Sequence, residues 1–172
     1  QARKGKGDRL EVARFDLNLE LELIQLQRAL VNETYRPGGY QHRTIYERKP
    51  RLISIAPFRD RVVHHALMSV VDPLLDSTLI HDCYACRQGK GVHRAVDRYQ
   101  HWAGKFPYVL QLDIASYFAS IDHKLLKAML RRKLKDARLL RLFDLIIESY
   151  ETAPGKGLPI GNLTSQFLAN YY

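Results

Sequence analysis

One stretch constrains the fold more than any other: Tyr108-Val-Leu-Gln-Leu-Asp-Ile-Ala-Ser-Tyr-Phe-Ala-Ser-Ile-Asp-His123. Tyr108 to Leu112 is a short run of β-branched, aromatic and aliphatic residues, long enough for a buried strand. Side chains alternate along a strand, so Val109, Gln111 and Asp113 are expected on one face. The strand then delivers an acid at its C-terminal end, where the backbone turns away. Ser116 and Ser120 offer turns or caps, and a basic helix is expected from Asp122, with Asp122 as its N-cap. An acid fixed by a sheet is well placed to hold a metal ion; an acid that merely ends a strand is the plain alternative. Both readings stay open on this segment alone.

The whole chain narrows the class. Its 172 residues suffice for one domain with a real core, and 46% hydrophobic and 26% charged residues are ordinary for a globular protein. A net charge of +9 and a pI near 9.7 are not ordinary. They call for an acidic partner, nucleic acid being the commonest, although a ribosome- or lipid-binding module carries the same sign. No apolar run approaches the roughly 18 residues of a membrane span, so no membrane association is expected. The basic N-terminus is followed by no apolar stretch, which argues against a secretory signal. Two cysteines make no disulfide framework, and a reducing, cytoplasmic location is the simpler expectation.

Along the chain, Leu19, Leu23, Leu26 and Leu30 recur at helical spacing after a break near Leu17, and Pro37 with its glycines ends that helix. His42 to Glu47 and Arg51 to Ala56 read as a hairpin tipped by Arg48-Lys49-Pro50. Cations at such a tip can cover a bound triphosphate, or form a solvated turn. Asp60 reads as the N-cap of a helix reaching about Pro73, with one of His64 and His65 packed and the other exposed. His81, Cys83, Cys86 and His93 invite a zinc site, but only one Cys-x-x-Cys half-site exists, so ordinary thiols are the better reading. Arg87-Gln-Gly-Lys90 is a basic loop before a helix from Val92 to Trp102. Two helices, Asp122 to Leu134 and Ala137 to Tyr150, combine basic faces with apolar stripes. Pro159 and Gly161 let the loop before the last helix, Leu163 to Tyr172, pass close to a ligand, and Asn162 or Thr164 can open that helix.

Two ordered motifs carry a family resemblance. Leu112-Asp113-Ile114-x-x-Tyr117-Phe118-x-x-Ile121-Asp122-His123 resembles motif A of reverse transcriptases, and Gly157-Leu-Pro-Ile-Gly-Asn-Leu-Thr-Ser-Gln166 resembles their motif B. Ile160 and Gln166 stand where group II intron enzymes have Gln and Pro, a pattern similar to diversity-generating retroelement reverse transcriptases. The resemblance implies an α+β right-hand polymerase, with N-terminal helices and fingers over 1–107 and a partial palm over 108–172. It implies RNA-templated DNA synthesis with two Mg2+ ions, a template RNA, a DNA or RNA primer and deoxynucleoside triphosphates, and it admits a basic accessory protein of the retroelement.

The resemblance also assigns roles. Asp113 becomes the catalytic carboxylate and a metal ligand, helped by the backbone carbonyl of Ile114. Lys49 and Arg51 contact the triphosphate, Phe118 is the steric gate under the sugar, and Ile160, Gly161 and Gln166 line the nucleotide pocket. Arg87 and Lys90 contact template or primer phosphates. The family's aromatic-x-Asp-Asp motif and its thumb are not in these residues, so an N-terminal fragment, inactive alone, is expected. A group II intron-like or CRISPR-associated enzyme is the second reading, against which Ile160 and Gln166 speak. A non-catalytic RNA-binding module of the same fold is the third, and Asp113 and Phe118 speak against it.

Overall fold

The computed structural model describes residues 2–46 and 49–172. Glu47 and Arg48, part of the expected hairpin tip, lie outside them. The architecture is α+β: one small sheet and a set of helices.

Helices α1 (Leu10–Leu17) and α2 (Leu19–Val31) meet at Asn18. A hairpin follows, β1 (Gln41–Tyr46) and β2 (Pro50–Ile55), antiparallel and in register from Gln41 opposite Ile55 to Tyr46 opposite Pro50. Each strand starts one residue earlier than its pattern suggested. Then come α3 (Phe58–Asp76), α4 (Val92–Ala103), the short α5 (Tyr117–Ser120), α6 (His123–Lys133), α7 (Ala137–Glu148) and α8 (Leu163–Tyr171). Asp122 caps α6 as expected, its carboxylate accepting the Leu125 N–H at 2.9 Å. Asp136 does the same for α7 through Leu139 at 2.8 Å.

The apolar stripes build two buried clusters. The larger one joins Leu67, Val71 and Leu75 of α3 to Leu126 and Leu130 of α6, Phe143 and Ile147 of α7, and Phe167 and Leu168 of α8. The core thus unites helices from both sides of residue 107. The smaller cluster holds Val12, Phe15, Leu26, Tyr35, Phe58 and Val63, with Phe15 edge-on to Phe58 at 5.1 Å.

Further expectations are corrected. The strand over 108–112 does not form: residues 108–115 make no backbone hydrogen bond among the described residues, and Leu110 and Leu112 are each 81% exposed. A strand needs a neighbour, and the single sheet among the described residues is the β1–β2 hairpin, which lies elsewhere. The shared face of Val109, Gln111 and Asp113 is therefore not imposed within this chain.

Asp60 is not an N-cap. The helix starts at Phe58 after Pro57 and runs through Pro73 to Asp76, while buried Asp60 accepts the Tyr35 hydroxyl and the Gly38 N–H, each at 2.7 Å. A carboxylate in the first turn still faces the positive helix end, so the sequence signal was sound and its position one turn off. Last, α7 ends at Glu148, two residues early.

His64 is buried and His65 half-buried, so neither is exposed as one was expected to be. Burial pushes the His64 pKa down to about 4, because its ring Nδ1 has no partner there for a charged form. The unfolded chain binds a proton near pH 6.5 and the folded chain does not, so stability is full above that value and declines down to about pH 4. We expect His64→Leu to remove about 2 kcal/mol of that decline, measured as urea unfolding at pH 7 and pH 4.5 in both proteins. Equal pH slopes for the two proteins would refute this.

Candidate functional site

The loop 157–162 carries Ile160 and Gly161 and is tied to two other segments of the chain. Its first half is tied to the segment around Phe118. Gly157 N–H donates to the Ile121 carbonyl at 2.9 Å and Leu158 N–H to the Phe118 carbonyl at 2.8 Å. Buried His123 adds a side-chain bond from Nε2 to the Gly157 carbonyl at 2.7 Å. A carbonyl only accepts, so Nε2 carries the proton.

The second half is tied to β2. Ser54 pairs opposite His42 with its backbone groups turned away from β1, and both are taken up by the loop. Its N–H donates to the Ile160 carbonyl at 2.9 Å, and its carbonyl accepts the buried Asn162 side-chain amide at 2.8 Å. Asn162 sits at the N-cap of α8 and makes no cap hydrogen bond; its side-chain nitrogen donates to the hairpin instead.

Gly161 explains why the loop fits so closely. Its φ is +106°, and a Cβ there would stand 2.7 Å from Cγ2 of Ile53. Both the left-handed backbone and the close approach demand glycine. Gly161→Ala is expected to cost about 1–3 kcal/mol and to loosen the hairpin from the loop. Thermal unfolding together with hydrogen exchange at Ser54 reports this; an unshifted midpoint with an unchanged Ser54 amide would contradict it.

The remaining candidates can now be placed. Ile160 is 38% exposed beside Gly161, so its side chain is available to a ligand. Gln166 lies one turn into α8, where its Oε1 accepts the Cys86 thiol at 3.5 Å. Phe118 is half-buried, its ring packed on the larger core and edge-on to Tyr117 at 6.2 Å. Asp113 and Ile114 are exposed, and Asp113 has no hydrogen bond or ion pair among the described residues. Lys49 and Arg51 are exposed at the start of β2. By strand alternation Arg51 shares a face with Ile53, the residue touching the loop.

Arg87 has another employment. Nε and one terminal nitrogen hold both oxygens of Asp76 at 2.6 and 3.0 Å, and the other terminal nitrogen reaches the Ile80 and Cys83 carbonyls at 2.9 and 3.1 Å. It braces the loop that precedes α4 against the end of α3. The neighbouring Asp76 is held below the usual carboxylate range by this hydrogen-bonded guanidinium. Lys90 donates to the His81 carbonyl at 2.6 Å and lies over the Tyr84 ring at 5.0 Å. The same loop is fastened to α8 by Asn170, whose amide reaches the Ala85 carbonyl at 2.6 Å.

Among the described residues no three His, Cys, Asp or Glu side chains gather as a metal site. Cys83, Cys86 and His93 thus do not converge. Asp113 with the Ile114 carbonyl is a set of hard, unengaged oxygens of the kind magnesium takes, but a partial one.

Sequence reasoning missed the positioning roles of Ser54 and His123, and it read Asn162 as an opener of α8, which is its place, without its bond to the hairpin. Each is a polar residue at an inward position, and that mismatch was the available signal: buried polar groups must find partners. Ser54 is buried in a strand where Leu52, on the same face, is exposed, and His123 follows an N-cap where an apolar residue packs as well.

No family model matches the chain. Curated relatives do. It is 28% identical over 169 residues to Protein YkfC of Escherichia coli, covering 88% of this chain and 43% of that protein. It is 22% identical over 164 residues to the group II intron-encoded protein LtrA of Lactococcus lactis, covering 89% of this chain and 27% of that protein. The chain is thus distantly similar to group II intron-encoded proteins and spans less than half the length of these relatives. No helix among the described residues is long and apolar enough to cross a membrane.

Proposed function

We propose that this chain is the fingers (1–107) and partial palm (108–172) of a right-hand polymerase that copies RNA into DNA. The observation that supports the reading is what the loop 157–162 and the helix it opens hold together: β2 through Ser54, the segment 118–123 through Phe118 and Ile121, and the Ala85–Cys86 turn through Asn170 and Gln166. The distant likeness to an intron-encoded protein over 89% of the chain supports it further.

In this reading the reaction is an in-line displacement, in which a primer 3′ hydroxyl attacks the α-phosphate of a deoxynucleoside triphosphate and pyrophosphate leaves. Asp113 and the Ile114 carbonyl are the oxygens that would hold Mg2+, a partial donor set. An Mg2+ ion held there would supply the positive charge that lowers the pKa of the hydroxyl and offsets the charge on the phosphates. Lys49 and Arg51 bind the triphosphate from the hairpin, their charges offsetting the one that builds up on the leaving group. Phe118 presents a ring under the sugar, which excludes a 2′ hydroxyl by volume. Gly161 lets backbone approach the base pair. Lys90 meets template or primer phosphates, and Arg87 shapes the loop that presents it. Extension of a DNA primer on an RNA template by the longer protein tests the reading; a protein that binds the hybrid without extending it fits the RNA-binding alternative instead.

The finer assignment, to the diversity-generating retroelement type, rests on Ile160 and Gln166. A Gln beside the incoming base donates and accepts hydrogen bonds, whereas Ile160 offers only apolar surface. Shape alone discriminates by about 1–3 kcal/mol, less than lost polar contacts do. Ile160→Gln in the longer protein is expected to lower misincorporation opposite template adenine by about tenfold. An active variant with an unchanged error spectrum would move the cause away from Ile160.

A further inference from the structure

Helix α4 buries none of its residues, yet one of its faces is organised. Arg94 and Arg98 stand one turn apart on α4, a step of about 6 Å that is close to the spacing of phosphates along an extended strand, and Lys90 in the preceding loop joins them. They line a hollow of about 500 Å³ together with His81, Tyr84 and Asp97. Aromatic rings interleave with the cations. The Lys90 ammonium lies 5.0 Å from the Tyr84 ring, and Arg98 and Lys105 lie 4.9 and 5.0 Å from the ring of Trp102, which is 39% exposed.

Two carboxylates temper this face: Asp82 holds Arg98 at 3.0 Å, and Asp97 stands in the wall. Four cations still outnumber them, and Arg94 has no carboxylate partner among the described residues. The loop bearing Lys90 is held in place by the Arg87–Asp76 clamp and by the Asn170 amide. The cations are therefore presented from a braced frame rather than a loose turn.

We propose that this face of α4 is a binding track for single-stranded nucleic acid, independent of any chemistry at Asp113. Cations at phosphate spacing neutralise the backbone, and exposed rings accept unstacked bases, which a duplex does not offer. A lipid surface would engage both cations and rings, but the hollow of about 500 Å³ between them fits a nucleotide rather than a flat interface.

Trp102 is the chain's single tryptophan, so its fluorescence reports on this face alone. The test is titration of the chain with a twelve-nucleotide oligouridylate over a range of salt. Binding is expected to quench Trp102, and Lys90→Gln with Arg94→Gln is expected to weaken binding about tenfold and to flatten the log–log salt slope by about 1.4, roughly 0.7 for each lost phosphate contact. Arg94 and Lys90 have no buried partner, and circular dichroism of the variant verifies its fold. Absence of binding, binding without quenching, an unchanged salt slope in the variant, or equal affinity for a duplex of the same length would each overturn the proposal. So would the same residue-dependent quenching by phosphatidylserine vesicles, which would make the face a lipid site.

Discussion

Asp113→Asn in the longer protein should reduce RNA-templated primer extension by about three orders of magnitude or more, while leaving the fold and the affinity for template and primer nearly unchanged. The asparagine keeps the shape and removes the charge that would hold magnesium, whose stabilisation of the reacting oxygens is worth several kcal/mol. The structural half of the expectation rests on placement. Asp113 is exposed and makes no hydrogen bond or ion pair among the described residues, so nothing in the packed core depends on it. Surface changes of this kind stay within about 0.5 kcal/mol. Primer extension under single-turnover conditions, run beside thermal unfolding of both proteins, separates the two halves. A variant retaining activity within about tenfold would remove Asp113 from the catalytic role.

The largest effect on stability is expected at Phe143. Its side chain is fully buried at the junction of α3, α6, α7 and α8, where it helps the core span both proposed regions. Phe143→Ala removes the ring and leaves a cavity that four packed helices cannot close, at a cost of about 3–5 kcal/mol. For a chain of this length that is a fall in melting temperature of roughly 10–15 °C. Because the junction carries both the α3 and the α8 contacts, the loss should appear as one cooperative transition. Two separate transitions, with only the second shifted, would mean that the regions divided at 107 and 108 fold independently.

How much was legible in the sequence divides along physical lines. Helices are local: α2, α4, α6, α7 and α8 were visible from apolar spacing and from caps such as Asp122, because their hydrogen bonds close within the segment. The hairpin was visible to within one residue for the same reason, since β1 and β2 are sequence neighbours. The run 108–112 failed because a strand's hydrogen bonds come from elsewhere, and composition cannot report whether a partner is present. Asp60 was misplaced because an acid in a first turn and an acid at a cap satisfy the same dipole, and only the partners Tyr35 and Gly38 distinguish them.

The site was legible as segments and illegible as a site. Motifs flagged Gly161, Ile160, Gln166 and Phe118, but not that Ser54 and Asn162 clip the loop to the hairpin, across 108 residues of sequence. Nor did they tell that Arg87 is committed to Asp76 while Lys90 keeps its ammonium at the surface. Such long-range pairings follow from packing and leave no local trace.

The most direct test of the central claim is a single measurement on the longer protein: DNA primer extension on an RNA template with Mg2+ and all four deoxynucleoside triphosphates, with the same reaction lacking the metal beside it. The account predicts full-length, template-dependent DNA that requires Mg2+ and disappears with Asp113→Asn. Tight binding of the primed template with no extension at any Mg2+ concentration would contradict it, and would leave an RNA-binding module as the function of this fold.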